Sequence, residues 1–146
     1  MSVEHSTFVL ERTYDAAPAR VFAAWALPEA KAQWFGGDGF ELDFRIGGRE
    51  TNGGGPEGGP HYSYEAIYRD IVADERIVYT TQMHVDDRLM SVSVASIEFA
   101  REGDGTRLTL TEHGAFLDEL ETPAQREHGT GELLDRLGAT LTPARA

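Results

Sequence analysis

From Phe40 to His113 the chain is a succession of short runs in which apolar and polar residues alternate, divided by turns rich in Gly and Asp. A period of two is the spacing of half-buried strands, and runs separated by such turns pair with their neighbours as antiparallel hairpins. In the longest run, residues 89–100, Leu89, Ser91, Ser93, Ala95, Ile97 and Phe99 fall on one face. Residues 62–72 and 76–83 precede it, joined by a turn at Ala73-Asp74, and Gly103-Asp104-Gly105 turns the chain into residues 107–113. Gly47-Gly48 reads as a tight turn, and residues 53–59, five glycines with Pro56 and Glu57, as a mobile hairpin loop.

The period changes at both ends of this meander. Residues 7–14 place Phe8, Leu10 and Tyr14 on one face of a first strand, and Arg12, on the same face, needs an acidic partner. Pro18 suits a first helical turn before Val21, Phe22 and Trp25, and Pro28 starts a second short helix through Ala30 and Ala32 to Trp34, stopped by Gly36 and Gly37. Near the C-terminus Thr122-Pro123-Ala124-Gln125 has the form of a capping box. A stripe of Thr130, Leu134, Leu137 and Leu141 follows, with Leu133 beside it and Pro143 as its end. Gly129, Gly131 and Gly138 each weaken a helix by about 1 kcal/mol relative to Ala, so packing on the sheet must hold it. The expected class is α+β: strand, two short helices, about six further strands, and one long helix around which the sheet curls. At 146 residues this is one domain, residues 1–146.

Composition narrows the partners. The formal charge is −12, from 25 acidic against 13 basic residues, which opposes nucleic acid and anionic membrane surfaces. No run approaches the roughly 18 to 20 apolar residues of a membrane span, and the first ten residues lack a basic, then apolar, export signal. A cytoplasmic protein without membrane insertion is expected. With no cysteine, disulfides, thiolate nucleophiles and Cys-ligated metals are excluded.

Candidate chemical groups are sparse. His113 and His128 each sit in a Glu-His-Gly run that could meet across a pocket, but no two of the five His are closer than 15 residues, so structural or solvated histidines are expected and no metal is assigned. Tyr62, Tyr64 and Tyr68 share a strand face and Tyr79 lies on the next strand, where packing and ligand recognition both suit them. Ser91 and Ser93, inward on the long strand, argue for a wet or ligand-filled interior. Among the strand carboxylates, alternation turns Glu65 away from the tyrosines and leaves Glu50 or Glu112 as inward general bases. The glycines of residues 53–59 lack the Lys and Ser or Thr of a phosphate-binding loop, and no nucleophile elbow can be assembled. No catalytic residue and no cofactor are assigned.

Several segments, in order along nearly the whole chain, are similar to a known family. They are Asp15-Ala16-Ala17-Pro18 with Val21-Phe22 and Trp25, Pro28-Glu29, Trp34-Phe35-Gly36, and Gly47-Gly48-Arg49. Tyr68-Arg69-Asp70-Ile71, residues 75–80, residues 105–110 and Leu134-Asp135-Arg136-Leu137 continue the series. The chain thereby resembles the activator of heat-shock protein 90 ATPase homologue family of the SRPBCC (START-like, Bet v 1-like) superfamily. The resemblance implies a helix-grip fold of about six or seven strands and a cavity for a small hydrophobic molecule between sheet and C-terminal helix. Where the family pattern often has Trp after the glycine matching Gly129, this chain has Thr130, which suggests extra room.

The cavity walls expected from strand and helix faces are Trp34, Tyr62, Tyr64, Tyr79, Thr81 and Met83, together with Ser91, Ser93, Glu112, Phe116, Thr130 and Leu134. Uptake of a small hydrophobic or aromatic ligand is the leading expectation. A polyketide cyclase or hydratase type of acid-base enzyme using the same cavity comes second, and a co-chaperone-like protein-binding domain third. A homodimer is compatible with a small acidic domain.

Overall fold

In the computed structural model, which describes residues 1–141, the alternating runs pair into one antiparallel, curved sheet of seven strands. The strands are β1 (Val3–Tyr14), β2 (Glu41–Leu42), β3 (Arg49–Gly54), β4 (Tyr62–Val72), β5 (Arg76–Val85), β6 (Arg88–Glu102) and β7 (Gly105–Leu117). Their spatial order is β1-β7-β6-β5-β4-β3-β2, so consecutive hairpins form the meander and the first strand closes against the last. Helices α1 (Pro18–Ala26) and α2 (Pro28–Phe35) follow β1, and α3 (Pro123–Leu141) follows β7. This is the α+β architecture that the residue pattern predicts, in the helix-grip form that the resemblance implies.

Register explains which side chains meet. Leu10 lies opposite Leu110, Leu110 opposite Ile97 and Ile97 opposite Ile77, a row of apolar residues across four strands. Ile77, Ile97, Leu108 and Leu110 are buried with Val21, Phe22 and Trp25 of α1 and Leu134, Leu137 and Leu141 of α3. Removing each such side chain from water contributes about 1.5 to 3 kcal/mol, which offsets the weak helix propensity of α3.

Helix α3 begins with a reciprocal cap: the Gln125 N–H donates to Thr122 Oγ1 (3.1 Å) and the Thr122 N–H to Gln125 Oε1 (2.9 Å). One of its glycines has a packing reason. A Cβ on Gly138 would stand 3.0 Å from the Tyr14 ring, and Tyr14 Oη donates to the Leu134 carbonyl at 2.7 Å, so the helix lies close on β1. The helix stop expected at Pro143 lies outside the described residues.

Two expectations change. Residues 53–59 are not one open loop: Gly53 and Gly54 continue β3, and the rest is a turn in which Gly58 has φ +73° and the Gly59 N–H donates to the Pro56 carbonyl. The single face expected for residues 89–99 is broken by a bulge, because Met83 pairs with Ser91 and His84 with Leu89, leaving Met90 as the extra residue. Met90 and Ser91 are consequently both buried.

Candidate functional site

Between α2, α3 and the concave face of β4, β5 and β7 the side chains leave a cavity of about 430 Å³. The pairings Tyr64 with Met83, Ala66 with Thr81 and Tyr68 with Tyr79 put the strand contributors on one face. Of the residues expected from sequence, Trp34, Tyr62, Tyr64, Tyr79, Thr81, Met83, Glu112, Thr130 and Leu134 line this space. Trp25, Lys31, Phe35, Leu110 and Arg126 line it too and were not legible as cavity residues. The exposed side chains of Tyr62, Glu132 and Arg136 mark its mouth.

Ser91, Ser93 and Phe116 do not line it, and the reason is Arg126. From the start of α3 this side chain turns inward and uses all five N–H groups. Nε and Nη2 donate to the two oxygens of Glu121 (2.9 and 2.7 Å), Nη1 to Glu112 Oε2 (2.8 Å) and Ser93 Oγ (3.4 Å), and Nη2 to Ser91 Oγ (2.6 Å). Its guanidinium stands 5.2 Å over the Phe116 ring. The inward serines are therefore partners of a half-buried cation, not evidence of a wet interior. Burial alone would lower the pKa of Arg126, but the hydrogen bond to Glu121 and the charge of Glu112 raise it, so it stays charged. A cation in the first turns of a helix opposes the macrodipole, and that misplacement was the available signal.

A second buried pair stands at the α2 wall. Lys31 Nζ lies 2.6 Å from Glu50 Oε1 and 3.2 Å from the Tyr68 hydroxyl, which itself donates to the same carboxylate oxygen. Lys31 is 2% exposed and Glu50 not at all. The rings of Phe35, Trp25 and Trp34 surround the ammonium at 5.2, 5.3 and 5.8 Å. Burial lowers the pKa of Lys31, opposed in part by the charge of Glu50. Glu50 Oε2 and Trp25 Nε1 are buried without a hydrogen-bond partner among the described residues. Glu50 and Glu112, the two inward candidates from sequence, are both buried, but each is ion-paired.

The hydroxyls of Tyr64, Tyr79 and Thr81 form no hydrogen bond among the described residues. Burial, reinforced by neighbouring carboxylates and phenols, holds the pKa values of Tyr64 and Tyr79 well above normal, so both remain neutral donors. The other candidates lie elsewhere. Glu65 faces outward to Arg49, and Arg12 finds its acidic partner in Asp135 of α3 (2.8 Å). His113 is exposed beside Thr7 Oγ1 (2.8 Å) and His128 beside Glu132 (3.2 Å), so the two Glu-His-Gly runs do not meet. Among the described residues no three His, Asp or Glu side chains are grouped to hold a metal ion. No described helix is long and apolar enough to cross a membrane.

Known proteins agree with this architecture. The chain is similar to protein Mll3558 from Rhizobium loti, with 45% identity over 97% of this chain and 100% of that one and a TM-score of 0.91. A protein from Rhizobium leguminosarum is 40% identical over 96% of each chain, also at a TM-score of 0.91. Protein CV1439 from Chromobacterium violaceum is 28% identical over 94% of this chain and 98% of that one, at a TM-score of 0.79. No curated protein matches the chain. The family model described as "Activator of Hsp90 ATPase homolog 1-like protein" matches residues 15–142, and the chain belongs to that family.

Proposed function

We propose that this protein takes up a small, uncharged, mostly apolar molecule bearing a carbonyl or hydroxyl oxygen in the cavity between the sheet, α2 and α3. The observation that carries the reading is the combination of an apolar wall with neutral hydroxyls that lack protein partners. Trp34, Phe35, Met83 and Leu134 offer burial, while Tyr64, Tyr79 and Thr81 offer hydrogen bonds to a ligand oxygen. A volume near 430 Å³ falls in the range of about 300 to 1,000 Å³ common for ligand pockets.

Electrostatics favour an uncharged ligand. The two inward cations at the cavity, Lys31 and Arg126, already face the three carboxylates Glu50, Glu112 and Glu121. An added anion would meet a region with no net positive charge to repay its desolvation.

Native mass spectrometry of the purified chain, followed by thermal unfolding with a panel of aryl ketones, long-chain alcohols and fatty acids, tests the reading. A ligand at 100 times its Kd raises stability by about 2.7 kcal/mol. Neutral ketones and alcohols should stabilise more than fatty acids of equal length. An empty protein that none of the panel stabilises would overturn the proposal.

A further inference from the structure

We infer that Lys31 is an amine nucleophile of the cavity, able to form an imine with an apolar aldehyde or ketone held there. The inference rests on the proposed uptake of a neutral carbonyl-bearing molecule. Of the 13 basic residues, 12 are Arg and Lys31 is the only lysine, yet among the described residues it is the basic residue placed deepest in the apolar interior. Arg never gives up its proton in a protein, whereas a buried Lys can. A purely structural cation in a chain this rich in Arg has no need of that property.

The surroundings fit the chemistry. Lys31 borders the cavity, and Trp25, Trp34 and Phe35 beside it exclude water, which favours loss of water from a carbinolamine. Glu50 Oε1, 2.6 Å away, can take the ammonium proton, and the Tyr68 hydroxyl, 3.2 Å away, can relay one. Burial, the largest influence on Lys31, shifts it towards the neutral amine.

The step balances. Lys31 passes one proton to Glu50, and its nitrogen lone pair forms a C–N bond to the carbonyl carbon. The π pair moves to oxygen, which takes a proton from the nitrogen to give a carbinolamine. Glu50 then protonates the hydroxyl, the C–O bond breaks, and water leaves. The product is a protonated imine paired with the Glu50 carboxylate, so the total charge of the pair is unchanged.

The sequence makes the test direct, since Lys31 and the chain's α-amino group are its only amines and it has no thiol. The full chain is treated with 3-phenylpropanal and sodium cyanoborohydride at neutral pH, and the modified residue is located by peptide mapping. The expected result is one phenylpropyl group on Lys31, added at least about tenfold faster in the folded chain than in urea, since a cavity that holds the aldehyde beside the amine raises its effective concentration there. Labelling confined to the α-amino group, or faster at Lys31 in urea, would overturn the inference. Thermal stability with 3-phenylpropan-1-ol separates the two proposals. If the alcohol stabilises the protein while Lys31 stays unlabelled, the amine role falls and ligand uptake stands; if Lys31 stays unlabelled and neither the alcohol nor any member of the panel stabilises the protein, both fall. Because mapping is done on the unaltered chain, the result does not depend on whether Lys31→Met folds.

Discussion

Lys31 Nζ and Glu50 Oε1 are 2.6 Å apart, with both side chains cut off from solvent, and the contact ties α2 to β3. Desolvating two charges costs several kcal/mol each, and their attraction returns this only while both are present. Lys31→Met should therefore destabilise the protein by about 3 to 5 kcal/mol, because it strands the Glu50 carboxylate. The double substitution Lys31→Met with Glu50→Leu should recover most of the loss. Urea unfolding of the two singles and the double measures the coupling, and additive losses would contradict it.

Arg126 joins α3 to β6 and β7 through Glu112, Ser91 and Ser93. Arg126→Met should cost about 3 kcal/mol, since two carboxylates and two hydroxyls lose their donor together. Arg126→Lys should recover only part, because an ammonium cannot reproduce the forked contact with Glu121. Equal stability of the two variants in urea would show that geometry does not matter there.

Thr130 borders the cavity on α3 and is only partly buried. Thr130→Trp should fill part of the space, leave unfolding in the absence of ligand within about 0.5 kcal/mol, and weaken a stabilising ligand at least tenfold, about 1.4 kcal/mol. Retained ligand-induced stabilisation would place the ligand elsewhere.

The pH dependence follows from the buried phenols. Burial is the first cause raising the pKa of Tyr14, Tyr64, Tyr68 and Tyr79 in the folded state. In the unfolded chain they ionise near pH ~10, so above it the unfolded state binds fewer protons and stability falls with rising pH. Lys31 has the opposite sign: its folded pKa lies below the unfolded value of ~10.4, so its contribution rises with pH between the two. Four phenols outweigh one amine. Urea midpoints should hold up to about pH 10 and drop above it, with phenolate absorbance from these four appearing only as the fold is lost. Their ionisation in an intact protein would refute the assignment.

The Thr122–Gln125 box satisfies two backbone contacts at the start of α3. Thr122→Ala should lower stability by about 1 kcal/mol, read as a shift in the urea midpoint without a change in slope. A loss under a few tenths would mean that other contacts at the helix start compensate.

The sequence by itself determined the fold, because its information is local. The alternation of Ser91 to Phe99, the turns at Ala73-Asp74 and Gly103-Asp104-Gly105, and the box at Thr122 each act over a few residues. Curling one amphipathic sheet around one amphipathic helix is the remaining way to bury both. Strand parity also placed Tyr64, Tyr79, Thr81 and Met83 on one face. Tertiary structure alone decided what the inward polar groups do. Ser91 and Ser93 signalled a wet interior until Arg126, 33 or more residues away in sequence, occupied them. No local pattern in its short helix singles out Lys31, and only the approach of β3 and β4 sets it against Glu50 and Tyr68. A buried charge is tolerable only beside its partner, and which partner arrives is fixed by the packing of distant elements, which no local pattern records.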